Sequence, residues 1–403
     1  MLKTKLETPY IIAFSLLGIF PIVPFIVKPF LLIPLLLTSL FNLYLIDKSE
    51  VNWKKIIIST SIYLLFAVSV LYTTDINRAT QLLIRLLPFL ILPISFALVP
   101  KTIYEKLTDV FIQVFTISCG LFCVIIFIYS ISLDISDIYI IYSYISNNFW
   151  GYEDHPIYIS LYFGIALILI LFKSKKSLLN IVLFVTIFFT LLFLSRKGNI
   201  ISLVIILLFM VISNSKSFFN KMFLGYSFVV LLIVVGVSYL FDNFLFIRFE
   251  EIINLDQFIN NPNTSTGIRS ILWRIGASLS TESPFFGYGL GSVQDLIGTS
   301  LIENGYEELT YVLKYNVHNQ YLQIALISGY IGLLFFLCIL SYIFLKIKNS
   351  KRALCIFLYI ILCFIFESLL ERQNGIIITA LFFNLFVFLP YKKEVINESL
   401  SKP

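Results

Sequence analysis

The stretch Gly267-Ile268-Arg269-Ser270-Ile271-Leu272-Trp273-Arg274 opens the main polar part of an otherwise apolar chain. This part passes a turn, Ser283-Pro284-Phe285-Phe286-Gly287-Tyr288-Gly289, and ends at His318-Asn319-Gln320-Tyr321-Leu322. Its apolar residues recur at helical spacing from Ile268 to Ile275, which predicts a short amphipathic helix that ends before Pro284. We expect part of any active site here, because polar loops of this kind do not lie in a lipid bilayer.

The composition indicates the class of protein. Hydrophobic residues make up 59% of the chain and charged residues only 13%, and the mean hydropathy is +0.94. A water-facing surface needs roughly twice that charged fraction, so a soluble domain is excluded. We therefore expect an all-α polytopic membrane protein, with residues 1–403 in a single integral membrane domain. The net charge of +6 comes from short basic clusters between apolar runs, which indicates membrane topology and no binding of nucleic acid.

The apolar runs predict about twelve transmembrane helices, since a bilayer core of about 30 Å needs ~20 apolar residues per helix. The predicted spans are approximately 9–25, 29–46, 54–72, 81–99, 107–131, 156–172, 177–194, 199–214, 222–241, 319–345, 353–370 and 374–391. Most basic clusters fall on one side of this arrangement, which places both termini in the cytoplasm by the positive-inside rule. The opposite, outer side then receives a smaller loop, 132–155, and a large loop late in the chain, 242–318.

Charged residues on the outer side are the candidates for function. Arg196 lies in a short turn where topology alone disfavours a positive charge, and a charge at the membrane edge usually serves a site. Its neighbour Lys197 is better explained by a side chain that reaches the lipid headgroups. Arg269 is preferred over Arg274, because the two lie roughly 140° apart on a helix and cannot both face one ligand. A guanidinium can bind two phosphate oxygens at once, which favours a phosphate ligand.

Two histidines stand at predicted span boundaries. His318 is the last polar residue before a span, and an imidazole with an ordinary pKa near 6.5 is the natural proton acceptor at neutral pH. An interfacial histidine bonded to backbone is the alternative. His155 is placed in the same way at the other outer loop, although Glu153 and Asp154 before it also fit an ordinary helix start.

Carboxylates near the end of the chain complete the set. Glu367 lies inside the eleventh predicted span, and Glu371 is expected on the same helix face four residues later. A carboxylate there needs a partner, which Arg372 or Arg196 could supply, so both glutamates are predicted to be structural counter-ions. Arg372 is also a candidate for substrate binding.

No metal site or other cofactor is predicted, because no Asp-rich or Glu-rich cluster lies on the outer side. The five cysteines lie in apolar runs without metal-ligand spacing and are expected to be buried thiols: Cys119, Cys123, Cys338, Cys355 and Cys363.

These residues in this order resemble the shared domain of the O-antigen ligase and O-antigen polymerase superfamily. The resemblance is carried by Arg269-x-x-x-Trp273, Ser283-Pro284-x-x-Gly287-x-Gly289, His318-Asn319-x-Tyr321-Leu322 and Gly329-x-x-Gly332. Ser195-Arg196, His155-Pro156 and the segment Glu367 to Gly375 are similar to further segments of bacterial members. The resemblance covers about residues 150–390.

The resemblance implies an inner-membrane glycosyltransferase that takes a glycan from undecaprenyl diphosphate on the periplasmic face. A ligase transfers it to a sugar of the lipid A core, and a polymerase transfers it to another carrier-linked glycan. By the same resemblance Arg196 and Arg269 bind the diphosphate, and His318 acts near the acceptor. One dominant late loop favours the ligase. A protein O-oligosaccharyltransferase and a transporter of lipid-linked glycans are the remaining alternatives, the latter disfavoured because the charges gather at one membrane edge.

Overall fold

The computed structural model describes residues 6–46, 49, 51–132, 155–173, 177–213, 250, 254–312 and 316–388. Over these residues the fold is all-α and contains no strand, as the composition predicts. In chain order its α-helices are α1 (Glu7–Gly18), α2 (Ile33–Asn42), α3 (Trp53–Ser69), α4 (Ile76–Arg85), α5 (Pro88–Ala97), α6 (Tyr104–Ser132), α7 (Pro156–Leu171), α8 (Leu178–Leu194), α9 (Lys197–Ser213), α10 (Leu255–Phe258), α11 (Ser265–Glu282), α12 (Val293–Glu303), α13 (Glu307–Val312), α14 (Gln320–Ile347), α15 (Lys351–Phe366) and α16 (Gln373–Phe388).

Helix length and composition support the membrane assignment. Within the described ranges, four helical segments are long and apolar enough to cross a membrane: Trp53–Tyr72, Ile76–Ala97, Lys101–Ile131 and Gln320–Ile347. Shorter apolar helices include α7, α8, α9 and α16. The predicted span 222–241 and nearly all of the predicted loop 132–155 lie outside the described residues. The total of twelve spans therefore stays a prediction.

The first two predicted spans form a short hairpin. Helix α1 has 12 residues, and α2 together with the 3₁₀ helix before it covers the 15 residues Lys28–Asn42, which at about 1.5 Å per residue gives about 18 and about 23 Å, below a bilayer core of about 30 Å. The Tyr10 hydroxyl donates to Ser39 at 3.4 Å and thereby joins the open ends of the two helices. At the other end Gly18 packs against Val114, near the middle of α6. Each helix is therefore too short to span the bilayer alone.

The predicted span 81–99 overlaps the candidate span Ile76–Ala97, in which a turn at Leu86 and Leu87 separates α4 from α5. Pro88 lies in the first turn of α5, where proline is tolerated because its missing N–H group needs no helical partner, and Leu86 and Leu87 before it keep right-handed helical angles. Asp75 caps α4 by accepting from the Arg78 amide at 2.9 Å. Arg85, predicted to lie within a span, is instead an exposed residue in the last turn of α4.

The large polar segment contains the predicted amphipathic helix as α11, which ends before Pro284 as expected. The turn after α11 forms backbone hydrogen bonds with α14 at a kink in that helix, where Gly329 has a φ of 65°. Such a φ interrupts the helical hydrogen bonds and favours glycine. Three backbone hydrogen bonds join turn and kink: Tyr288 to Leu326 (2.8 Å), Gly289 to Ile327 (3.0 Å) and Tyr330 to Pro284 (2.7 Å). These contacts hold the polar segment against the helix that follows His318.

Candidate active site

A histidine and a glutamate form the centre of the candidate site. The Nδ1 atom of His318 lies 2.9 Å from both carboxylate oxygens of Glu367. His318 precedes α14, and Glu367 follows the last residue of α15 with extended backbone angles. The prediction that Glu367 and Glu371 share a helix face is therefore wrong, because α15 ends at Phe366. Because Glu367 lies outside the helix, its carboxylate can contact His318, which is 49 residues away in the chain.

The first turn of α14 holds the segment that contains Glu367. Asn319 caps α14 with its side chain, and its backbone N–H donates to the Ser368 hydroxyl at 3.1 Å. The side chain of Gln320 accepts from the Leu370 amide at 2.7 Å, and Gln323 donates to Glu371 at 3.0 Å. This network explains the His-Asn-Gln sequence at the start of α14, since each polar side chain or amide satisfies a group of the facing segment.

The environment keeps Glu367 ionised. Burial raises the pKa of this carboxyl, but the charge of His318 and its hydrogen bond, followed by the charge of Arg269, outweigh burial and lower the pKa to about 2. An ionised carboxylate only accepts hydrogen bonds, so Nδ1 of His318 must carry the proton that joins the pair. A neutral imidazole protonated at Nδ1 has an acceptor at Nε2. The pair can therefore present a base on the far side of the ring.

Arg269 and Trp273 lie one helical turn apart on α11 and reach the same segments. Nε of Arg269 donates to the Phe366 carbonyl at 3.3 Å, and Nη2 lies 3.9 Å from Glu367. The Trp273 indole donates to the His318 carbonyl at 3.4 Å. The counter-charges of Glu367 are thus His318 and Arg269, where Arg372 or Arg196 had been expected. Arg274 is exposed, in agreement with its exclusion from the predicted site.

The turn between α8 and α9 places Arg196 at the same site. Ser195 ends α8 with φ of 47°, a left-handed conformation that reverses the chain immediately before Arg196. A Cβ atom on Gly198 would lie 2.5 Å from Phe366 Cβ, so glycine allows α9 to approach the residue before Glu367. Lys197 lies 3.4 Å from the hydroxyls of Ser265 and Thr266 at the start of α11. This contact differs from the predicted position of Lys197 among lipid headgroups.

His155 is the second histidine of the cluster and lies partly buried at the start of α7. Its Nδ1 accepts from the Ile157 amide at 3.4 Å, as expected for a cap. Burial and then the charge of Arg196 lower the pKa of His155 to about 3, and Glu367, Arg372 and His318 also act on it. His155 is therefore neutral at physiological pH and lies within electrostatic range of Arg196, Glu367, Arg372 and His318.

Glu371 and Arg372 belong to an adjacent cavity of about 770 Å³. Burial raises the pKa of the Glu371 carboxyl, although Gln323 and the charges of Arg78, Arg85 and Arg372 lower it in part. Arg78 and Arg85, which line this cavity from α4, were not predicted as site residues. The two arginines are seven residues apart, about two helical turns, which places them on one face of a helix. This pattern was not recognised because Arg85 was assigned to the predicted span 81–99 and Arg78 to the turn before it.

The described residues contain no group of three or more His, Cys, Asp or Glu side chains placed to hold a metal ion. The site brings together an oriented imidazole, a buried carboxylate and several arginines. Such a set can accept a proton and stabilise a negatively charged leaving group.

Comparison with known proteins identifies the sequence domain. The family model described as O-antigen ligase matches residues 181–337. No curated protein matches the chain. Members of the matched family are glycosyltransferase-like enzymes that act on lipid-linked glycans. The matched segment contains Arg196, Arg269 and His318, whereas His155, Glu367 and the cavity wall formed by α4 lie outside it. The resemblance to the O-antigen ligase and polymerase superfamily is therefore confirmed over residues 181–337.

Proposed function

We propose that this protein is an O-antigen ligase, which transfers a glycan from undecaprenyl diphosphate to a sugar of the lipid A core. The observation that supports this function most strongly is the His318–Glu367 pair at 2.9 Å, with Arg269 beside it. A base held by a carboxylate and accompanied by cations suits the displacement of a diphosphate by a hydroxyl. The family match supports the ligase or polymerase class.

The reaction is a single displacement at the anomeric carbon of the donor glycan. Nε2 of His318 removes the proton of the acceptor hydroxyl, whose oxygen forms the new glycosidic bond. The bond between the anomeric carbon and the diphosphate oxygen breaks, and the diphosphate leaves with the electron pair. Attack opposite to the leaving group inverts the anomeric configuration. Glu367 holds the imidazole in the required tautomer and stabilises its protonated form, as the third member of a catalytic triad does.

Arginines supply the positive charge that the leaving group requires. Arg269 uses Nε and one Nη1 hydrogen for the carbonyls of Phe366 and Ser265. Since a guanidinium has five N–H donors, the remaining donors can bind phosphate oxygens. Arg196 and Arg372 are close enough to His155 for their charges to lower its pKa, and they add positive charge near the site. These charges make the reaction independent of a metal ion in this proposal, because diphosphate is a good leaving group once its charge is stabilised.

The site is proposed to face the periplasm, with both termini of the chain in the cytoplasm. Single cysteines test this orientation after Cys338, the exposed native cysteine, is replaced by serine. Ser278 on α11 and Thr102 before α6 are both exposed. In intact cells a membrane-impermeant thiol reagent should label Ser278→Cys and leave Thr102→Cys unlabelled. The reverse pattern would contradict the orientation.

The decisive experiment combines genetics with a transfer assay. Deletion of a ligase leaves lipid A core without glycan and lets carrier-linked polymer accumulate, whereas loss of a polymerase leaves a core with one repeat. In vitro, purified wild type should transfer the glycan, and His318→Ala should lose about 100-fold to 10,000-fold in rate. Near-normal turnover of this variant would contradict the role of His318 as the base and favour a structural role at the membrane interface. Glycan attached to a protein acceptor would favour the oligosaccharyltransferase, and lipid movement without transfer would favour a transporter.

A further inference from the structure

The cavity beside the active site is lined mainly by charged and amide side chains. Helix α4 forms one wall, on which Arg78, Gln81 and Arg85 project from one face because they lie three and four residues apart. Helix α12 contributes Asp295 and Gly298 on the facing wall. Ligand pockets commonly have volumes of about 300–1,000 Å³ and predominantly apolar walls. A cavity of about 770 Å³ with a polar lining has the size of a ligand site and suits a strongly polar occupant.

The two walls are fixed to each other. The Ser292 hydroxyl, before α12, lies 2.8 Å from both the amide and the hydroxyl of Thr74, before α4. The Arg78 guanidinium lies 3.0 Å from the Asp295 carboxylate across the cavity. A site with a preformed shape loses little conformational entropy when a ligand binds. These contacts therefore indicate a built cavity between α4 and α12.

The cavity adjoins the proposed base through shared segments. Asn316 lines it and accepts from the His318 amide at 2.8 Å. Gln323 lines it and accepts from the Val317 amide at 3.3 Å, while its amide group binds Glu371. A molecule in the cavity would therefore lie beside the residues that hold His318. The arginines proposed for the diphosphate, Arg196 and Arg269, do not line it.

The charges of the lining are balanced in sign. Three arginines, Arg78, Arg85 and Arg372, are accompanied by three carboxylates, Asp75, Asp295 and Glu371. A polyanionic ligand would meet the carboxylates as well as the arginines, and like charges at close range are unfavourable. Hydroxyl groups can donate to carboxylates and accept from arginines at once. The lining therefore fits a molecule rich in hydroxyl groups and without excess charge.

We propose that this cavity is the acceptor subsite and that it binds an uncharged or charge-balanced sugar chain, whose terminal hydroxyl reaches His318. The proposal rests on the glycosyltransferase function above and names its acceptor class. Helix α4 lies outside the segment matched by the family. Donor and acceptor then occupy separate regions: the donor diphosphate near Arg196 and Arg269, and the acceptor sugar between α4 and α12.

Gly298 offers a direct test, because it lines the cavity and a Cβ atom there would meet no atom within 4 Å. Gly298→Phe should fill the cavity without disturbing α12. The matched control is Ala277→Phe, an exposed position on α11 that does not line the cavity. Arg85→Gln is a second cavity variant, since Arg85 is exposed and its loss removes no packing.

The assay uses the full-length protein, purified carrier-linked donor, and two acceptors extracted from a host that lacks this protein: lipid A core and carrier-linked glycan. Gly298→Phe should raise the acceptor KM about tenfold or more, equivalent to ~1.4 kcal/mol or more of lost binding. Arg85→Gln should raise it in the same direction. The donor KM should stay unchanged in both variants, and Ala277→Phe should behave as wild type.

A salt titration tests the charge of the acceptor. An increase from about 0.1 to about 1 M shortens the Debye length from about 10 to about 3 Å, which should weaken binding of the charged donor and leave the acceptor KM nearly constant. An unchanged acceptor KM in both cavity variants would overturn the subsite, as would a rise in donor KM alone. A steep salt dependence of the acceptor KM would overturn the charge-balanced class. If the wild-type protein transfers glycan to neither acceptor, this result would instead contradict the proposed function.

Discussion

Replacement of Glu367 by glutamine tests whether the carboxylate orients His318. Glutamine preserves size but carries both an amide donor and a carbonyl acceptor. If its NH₂ group faces Nδ1, the imidazole proton moves to Nε2, and the proposed base can no longer accept a proton. In a serine protease, replacement of the triad aspartate by asparagine lowers kcat by about 10,000-fold. We expect Glu367→Gln to lower kcat by about 100-fold to 10,000-fold.

The structure also gives the magnitude of the stability effect. The pKa of Glu367 falls from an ordinary 4.5 to about 2. This difference corresponds to about 3 kcal/mol in favour of the ionised form, at 1.36 kcal/mol per unit. Because the folded pKa is lowered, the stabilisation is present above pH 4.5 and is lost as the pH falls toward 2. Because the lowering comes first from the charge of His318, this stabilisation applies while His318 carries its second proton, and the variant should then be less stable than wild type; the assay must stay below its unfolding temperature.

Single and double variants separate orientation from general damage. His318→Ala and Glu367→Gln should each lower kcat with little change in donor KM, and the double variant should lose no more than His318→Ala alone, since groups that act as a unit are not additive. Glu303→Gln is the matched control, because Glu303 is exposed on α12 and lies outside the site. A kcat within threefold of wild type for folded Glu367→Gln, or fully additive losses in the double variant, would refute this role.

The remaining predictions concern charge geometry, pH and backbone conformation. Arg269→Lys should raise the donor KM at least about tenfold, because lysine lacks the planar fork of the guanidinium. Arg274→Lys should leave the donor KM at the wild-type value. A wild-type donor KM for Arg269→Lys would contradict the proposed phosphate contact. His155 has a folded pKa of about 3, so as the pH falls from about 6.5 toward 3 the unfolded state gains the proton first, and stability should drop by on the order of 2 kcal/mol by about pH 5. Thermal unfolding should show a smaller drop for His155→Gln. Gly329→Ala combines a φ of 65° with a Cβ clash against the Phe285 carbonyl, so its unfolding midpoint should fall by at least the equivalent of ~1–3 kcal/mol, whereas Gly298→Ala should cost little.

Local patterns in the sequence predicted the parts of the fold that depend on neighbouring residues. The apolar spacing before Pro284 predicted α11, and the angle between helical positions separated Arg269 from Arg274. Apolar run length predicted the segment around 81–99 as a span, and Ile76–Ala97 is long and apolar enough to cross a membrane. It did not predict the turn at Leu86 and Leu87, because a hydropathy window averages the polar residues of α4 with the apolar residues of α5.

The sequence predicted which groups gather on one side of the membrane, but it did not predict which of these side chains contact each other. The contact between His318 and Glu367 depends on the last helical residue of α15, and one further residue of helix would rotate the carboxylate by about 100°. Helix ends of this kind are set by tertiary contacts, here the bond between Asn319 and Ser368. Arg78 and Arg85 of α4 were not predicted as site residues, because the residues that they meet at the cavity, such as Asp295 and Glu371, are distant in the sequence.

The backbone at His318 explains why this histidine, rather than His155, is the proposed base. His318 and Ser195 are the two non-glycine residues of the described chain with positive φ, and His318 has φ of 48°. A left-handed conformation at such a residue costs about 1–3 kcal/mol and persists only where surrounding contacts enforce it. At His318 the N–H is held by Asn316, the carbonyl by Trp273 and the imidazole by Glu367. The ring is therefore fixed before substrates bind, which is the preorganisation that proton transfer in a confined site requires. His155, in contrast, uses its Nδ1 to cap α7.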